Sequence, residues 1–300
     1  MELNSDPVTA PPRAAATVVM LRDSDAGMQV FLLKRHGLSD VLGGAYVFPG
    51  GKVDPLDSAL DMDAHLDQAP GDLPAGLNET GIDALAAASL YVAAIREALE
   101  ESGVLFAHGA NQQLVTAAGA LLRAGHGFND MLGRMSLRLQ TRSMLPWVRW
   151  ITPRVPSFMN KRFDTRFFIA AVPADQNARH DDHEATESVW LTPRAALQRY
   201  WQREIELAPP QIMSLAHLSH YHRVQDVLSA AHGRLPPTVM PEPFQLDGAR
   251  VVCYPGDERH PVRERALPGP SRLIYRNKRF EPLEGFEALF TSSPSSSLLA

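Results

Sequence analysis

Arg96-Glu97-Ala98-Leu99-Glu100-Glu101-Ser102-Gly103-Val104 is the stretch whose reading decides this chain. Residues three and four apart are neighbours on a helix, so Glu97, Glu100 and Glu101 share one face. Ala88, Val92, Ile95 and Leu99 recur on the opposite face, a pattern that suits burial. Gly103 supplies the left-handed residue that ends the helix. Three crowded carboxylates repel one another, and a hard divalent cation with oxygen ligands is the economical compensation.

Upstream, Ala14 to Leu21 and Gln29 to Arg35 are β-rich runs around Asp23-Ser24-Asp25-Ala26-Gly27, a hairpin pattern. Phe48-Pro49-Gly50-Gly51 closes a short strand, Ala45 to Phe48, where glycines let the backbone approach a neighbour closely. From about Pro55 to Thr80 the chain turns acidic and rich in Pro and Gly without a sustained period, which reads as a loop or insertion with a short helix near Ser58 to Leu66. Ile82 to Ser102 is then one long Ala-rich helix, with Asn78 or Thr80 as its cap.

Downstream, helices are expected at Gln112 to Ala124, Phe128 to Gln140, Pro193 to Trp201 and Gln211 to His232. Strands are expected at Pro146 to Ile151, Thr165 to Val172, Ser188 to Leu191, Arg250 to Tyr254 and Arg272 to Tyr275. Strands mixed with helices give an α/β layered fold.

Composition narrows the class of function. A net charge of -5 leaves no basic stripe for nucleic acid. The first apolar run, Ala14 to Leu21, is too short to span a membrane and lacks the flanks of a secretory signal. The one cysteine, Cys253, allows no internal disulfide, and a reducing, cytoplasmic location is expected.

The segment 96–104 fits Arg-Glu-U-X-Glu-Glu-X-Gly-U, with U bulky and aliphatic, departing only at Ala98; Gly50-Gly51 matches the first half of the same motif. On these residues the chain resembles the Nudix hydrolases, and specifically the branch of peroxisomal coenzyme A diphosphatases with an insertion inside the Nudix box. Gly51 and Arg96 lie 45 positions apart, so an insertion splits the box. Where the family has a glutamate eight positions before the arginine, this chain has Ala88, and Asp54 or Asp57 of the insertion are candidates for its role. Arg162-Phe163-Asp164-Thr165-Arg166-Phe167-Phe168 and Glu204-Ile205-Glu206-Leu207-Ala208-Pro209-Pro210-Gln211 are also similar to that branch.

The resemblance implies a Nudix-type α-β-α sandwich with a mixed sheet, an insertion within the box and a C-terminal extension. The expected organisation is a disordered lead-in at 1–13, the Nudix domain at 14–235 with its insertion at 55–81, an extension at 236–290 and a disordered tail at 291–300. The extension is open to reading as a dimer arm, a lid or a packed wall, which leaves a homodimer open. The implied chemistry is hydrolysis of a small-molecule nucleoside diphosphate derivative, with Glu97, Glu100 and Glu101 as Mg²⁺ or Mn²⁺ ligands and Arg96 orienting them within the helix. Glu184, with Glu187 as its rival, is the further carboxylate expected beyond the box.

Coenzyme A or acyl-coenzyme A leads as substrate. Arg35, Gly44, Phe48, Pro49, Gly50 and Gly51 keep register with the coenzyme A signature, and Arg35, Phe48, Gly50 and Gly51 are its substrate-binding candidates. Leu33, His36 and Asp40 depart from that signature, and the last removes a cation that would pair with phosphate. Hydrolysis of ADP-ribose, NADH or another nucleoside diphosphate derivative, or nucleotide sensing without turnover, are the alternatives. His180, Asp181, Asp182 and His183 spell a zinc pattern, but the all-oxygen box favours magnesium or manganese. The ending Ser295 to Ala300 is not a peroxisomal Ser-Lys-Leu signal.

Overall fold

The computed structural model describes residues 3–4, 6–37, 42–181 and 185–291. Among them, β1 (Arg13–Arg22), β2 (Gln29–Arg35), β3 (Tyr46–Val47), β4 (Gly50–Lys52), β5 (Leu145–Ile151), β6 (Phe163–Ala171), β7 (Ala185–Leu191) and β8 (Thr238–Val239) form one mixed sheet. Its main order is β3-β2-β1-β6-β5-β8, with β4 on β1 and β7 on β2. β1 runs parallel to β6, and β5 parallel to β8.

The period-2 alternation of β1 splits the core in two. Ala16, Val18 and Met20 face one apolar cluster, and Val19 and Leu21 the other. The first cluster is closed by α2 (Met62–His65), α3 (Leu73–Leu77), α4 (Ala84–Ser102), α5 (Gln112–Arg123) and α6 (Phe128–Met135), while α1 (Pro55–Ser58) packs against α4. The second is closed by α7 (Pro193–Trp201), α8 (Pro209–Leu218) and α9 (Val224–His232), together with a four-stranded antiparallel sheet. That sheet is β9 (Glu242–Leu246), β10 (Ala249–Cys253), β11 (Arg272–Arg276) and β12 (Arg279–Glu281). The expected α-β-α sandwich is present.

Several elements differ from the sequence expectation. Beside the short helix expected near Ser58 to Leu66, which is α2, the insertion carries α1, a 3₁₀ turn at 70–72 and α3, and the stretch buries Leu60, Met62, Leu66, Leu73 and Leu77 against the α4 side of the core. Their turns are too short to show a period. The cap of α4 is neither Asn78 nor Thr80 but Asp83, whose carboxylate accepts from the Ala86 N–H at 2.7 Å. Because the insertion covers one flank of α4 and β1 the other, every residue from Ala87 to Ile95 is buried rather than one stripe.

The helix expected over 128–140 ends at Met135, since Ser136 turns left-handed at φ 50° and Leu139 is drawn into bridges with Leu66 and Ala107. The single helix expected at 211–232 is two, α8 and α9. Asp23 in the β1–β2 turn explains the break: its carboxylate accepts from the Val224 N–H at 2.9 Å and starts a new helix there.

At the N-terminus, the backbone N–H groups of Asn4 and Val8 donate to Ser157 and Arg154 carbonyls. Among the described residues, no helix is long and apolar enough to cross a membrane.

Candidate active site

The two halves of the split box meet at the start of β4 and the end of α4. β4 pairs antiparallel with β1, placing Gly50 opposite Thr17 and Gly51 opposite Ala16. Both glycines are dictated by close approach. A Cβ on Gly50 would lie 2.5 Å from the Ala16 carbonyl oxygen, and one on Gly51 would lie 2.3 Å from Glu97 Oε1. With that space open, the Gly50 N–H donates to Glu101 Oε2 at 2.8 Å. At the end of α4, Gly103 takes φ 64° and its N–H caps Leu99.

Arg96 stands at the centre of the charges. Its Nε and Nη2 donate to the two oxygens of Asp57 at 2.8 and 3.0 Å, and its Nη1 donates to Glu97 Oε1 and Glu100 Oε2 at 2.8 and 2.9 Å. A fifth bond runs to the Lys52 carbonyl. Burial works against the guanidinium charge, but the bonds to Asp57 and the charges of Glu97, Asp57 and Glu100 outweigh it, and its pKa is raised further above the usual range. Arg96 is thus held within the fold by hydrogen bonds to three carboxylates.

Asp57 is 1% exposed and is fixed in turn by a capping box with Asp54, whose N–H donates to Asp57 Oδ2 at 2.7 Å. Asp57 is one of the two carboxylates, with Asp54, that the sequence offered for the gap at Ala88. Counted back from Arg96, the family glutamate falls on Ala88, which is buried in α4; counted six positions forward from Gly51, it falls on Asp57. Counting from the glycine would have singled out this residue of the two.

Glu97 and Glu101 are mostly buried, and Glu100 is the most exposed of the three. Arg35, on β2, brings Nη1 within 3.9 Å of Glu101 Oε1. The loop beyond β6 is tied to the same helix end, with the N–H groups of Arg179 and Asp181 donating to the Ser102 and Glu101 carbonyls. Glu184 follows directly but lies outside the described residues, as do Asp40, Asp182 and His183. His180 turns its Nδ1 to the Ser188 hydroxyl at 2.9 Å, and Glu187 pairs with Lys34 at 3.7 Å.

Among the described residues, no group of three or more His, Cys, Asp or Glu side chains is gathered as a metal centre. Arg96 draws one oxygen each of Glu97 and Glu100 toward itself. The donor chemistry nevertheless suits a hard divalent ion: carboxylate oxygens at three positions of one helix end, beside a glycine whose missing Cβ leaves room for the Glu97 carboxylate.

A cavity of about 640 Å³ opens beside this helix end, lined by Arg96 and Glu97 but not by Glu100 or Glu101. Arg35, Phe48, Gly50, Gly51, Lys52, Arg96 and Glu97 line it, so all four substrate-binding candidates face one space. Its far side was not foreseen: Trp150, Phe158, Phe163, Phe167, Pro209 and Val252. Phe163 and Phe167 belong to one of the two runs quoted for resemblance, and Pro209 to the other.

A mixed sheet between helical layers, with a glycine strand docked on a Glu-rich helix end, defines a Nudix hydrolase. The chain belongs to the NUDT19 Nudix domain family, whose model matches residues 8–218. It is 26% identical to the acyl-coenzyme A diphosphatase NUDT19 of Xenopus laevis, over 87% of this chain and 79% of that protein. To the Homo sapiens protein of the same name it is 25% identical, over 69% and 65%. Its fold matches the crystal structure of a Nudix hydrolase from Alicyclobacillus acidocaldarius with a TM-score of 0.57 and 24% identity, over 76% of this chain and 98% of that one.

Proposed function

We propose that this hydrolase cleaves the diphosphate of coenzyme A or acyl-coenzyme A, releasing 3′,5′-ADP and 4′-phosphopantetheine or its acyl form. The observation that carries this reading is the reunion of the split box beside the cavity, with Gly50, Gly51, Arg96 and Glu97 in its lining, in a chain similar to proteins named acyl-coenzyme A diphosphatases.

Glu97, Glu100 and Glu101 would hold Mg²⁺ or Mn²⁺. When bound, such ions neutralise charge on the diphosphate and lower the pKa of a water. Arg96 keeps Glu97 and Glu100 oriented, and the Gly50 N–H keeps Glu101 in place. Arg35 offers a cation to the substrate phosphates. Phe48, buried edge-on to Phe167 at 6.1 Å, shapes the adjoining wall. Water attacks one phosphorus in line, and Glu184 or a box glutamate accepts its proton. The one cysteine, Cys253, is buried and free, which supports a reducing, cytoplasmic setting.

The test is a product-resolved screen of coenzyme A, acyl-coenzyme A, ADP-ribose and NADH with Mg²⁺. Release of 3′,5′-ADP is expected. Turnover of ADP-ribose or NADH alone would replace the substrate, and tight nucleotide binding without turnover of any would replace the enzyme with a sensor.

A further inference from the structure

The floor of the cavity is built by strand register. Lys52 pairs with Ala15, Ala15 with Thr165, and Thr165 with Trp150, a continuous row across β4, β1, β6 and β5. The next row runs Gly50, Thr17, Phe167, Val148. Further along β1 the same face carries Val19 and Leu21, whereas here it carries only Ala15 and Thr17. Those small side chains leave the space that the cavity occupies. Along the rows the chemistry changes sharply, from Lys52 and the glycine–glutamate contact on β4 to Trp150 on β5 in the first row and Phe167 and Val148 in the second. Three strand spacings separate the edges, about 14 Å.

The aromatic edge is backed by the C-terminal sheet. Trp150 meets Tyr254 edge-on at 5.9 Å, just beyond β10, whose Val252 lines the cavity itself. Phe158 packs against Tyr275 of β11 at 5.9 Å and Phe280 of β12 at 5.4 Å. The extension is anchored to the main fold at both ends. β8 pairs with β5 at Trp150, and the Tyr200 hydroxyl donates to the Phe280 carbonyl at 2.8 Å.

We infer that the wall of Trp150, Phe158 and Val252, completed by the C-terminal sheet, is the subsite for the acyl-pantetheine arm and sets selectivity between free and acylated coenzyme A. This rests on the proposed function. A diphosphate held at the charged edge leaves one half of the substrate to cross the floor, and the half whose chemistry matches aromatic carbon is the uncharged arm with its acyl chain. The cavity volume falls in the range that encloses most of a small ligand.

The experiment compares kcat/KM for coenzyme A, hexanoyl- and dodecanoyl-coenzyme A in wild type, Phe158→Ala and Val252→Trp. Wild type should favour the acyl forms. Phe158→Ala should lower the acyl preference roughly tenfold, mainly through KM, and Val252→Trp should penalise dodecanoyl before hexanoyl. A second readout needs no stable variant in the wall. With EDTA present, dodecanoyl-coenzyme A should shift the tryptophan emission of wild-type protein, while 3′,5′-ADP should not. Acyl preference and chain-length dependence unchanged in folded variants, or equal emission shifts from the two ligands, would overturn this subsite and leave the proposed function standing. Absence of 3′,5′-ADP release by wild type would overturn both.

Discussion

Asp57 grips Arg96 through both carboxylate oxygens, although 39 positions separate the two residues in the chain. Asp57 is 1% exposed, so removing its charge leaves the guanidinium facing two glutamates without its buried counter-ion. Asp57→Asn is expected to cost roughly 3 kcal/mol of stability. Activity should fall along with it, because Glu97 and Glu100 take their orientation from Arg96. Asp57→Glu keeps the charge and should recover much of both. Urea unfolding and turnover of the three proteins check this, and an unimpaired Asp57→Asn enzyme would refute the positioning role.

Glu101 is seated by the Gly50 N–H, a bond that a glutamine carbonyl can also accept. Glu101→Gln should therefore keep its melting temperature while losing about a hundredfold or more in kcat. EDTA should abolish wild-type activity, and Mg²⁺ or Mn²⁺ should restore it. Full turnover by folded Glu101→Gln would remove the metal-ligand assignment.

Gly51→Ala would force a methyl group against Glu97, whose carboxylate can swing away at small cost to the fold. The expected result is a normal melting temperature with a roughly tenfold rise in the Mg²⁺ concentration that gives half-maximal rate. A metal titration of the variant decides it.

His217 sits on α8 against Trp147, ring centroids 4.6 Å apart, with Tyr221, His220 and Arg234 facing it. Burial first, then the charges of Arg234 and His220, pushes its pKa down to about 3. Its folded pKa lies below the unfolded value, so the unfolded chain binds the extra proton. The contribution of neutral His217 is complete above about pH 6.5 and is lost as pH falls toward 3, by about 1.4 kcal/mol per unit. Unfolding free energies measured between pH 4 and 7 should show a shallower pH slope for His217→Phe than for wild type.

The sequence was most legible where one local pattern carries the chemistry. The nine residues from Arg96 name the class, and the apolar spacing of Ala88, Val92, Ile95 and Leu99 marks α4 as a core helix. It was least legible where a distant residue decides the outcome. The α8–α9 break depends on a carboxylate 201 positions away, Asp23, and nothing local to Tyr221 announces it. Asp57 was obscured because a motif interrupted once can be counted from either end. The aromatic wall was invisible for a related reason: Trp150, Phe158 and Val252 meet only after two separate strands and a loop converge.

The C-terminal sheet also governs the dielectric around the box. By standing behind Trp150 and Phe158 it excludes bulk water from one side of the space into which Glu97 and Arg96 project. Coulomb energies scale inversely with local polarisability, so each charge at the glycine edge acts more strongly on a bound anion than it would on an open sheet. Strands that carry none of the box residues thereby tune the electrostatic strength of those that do.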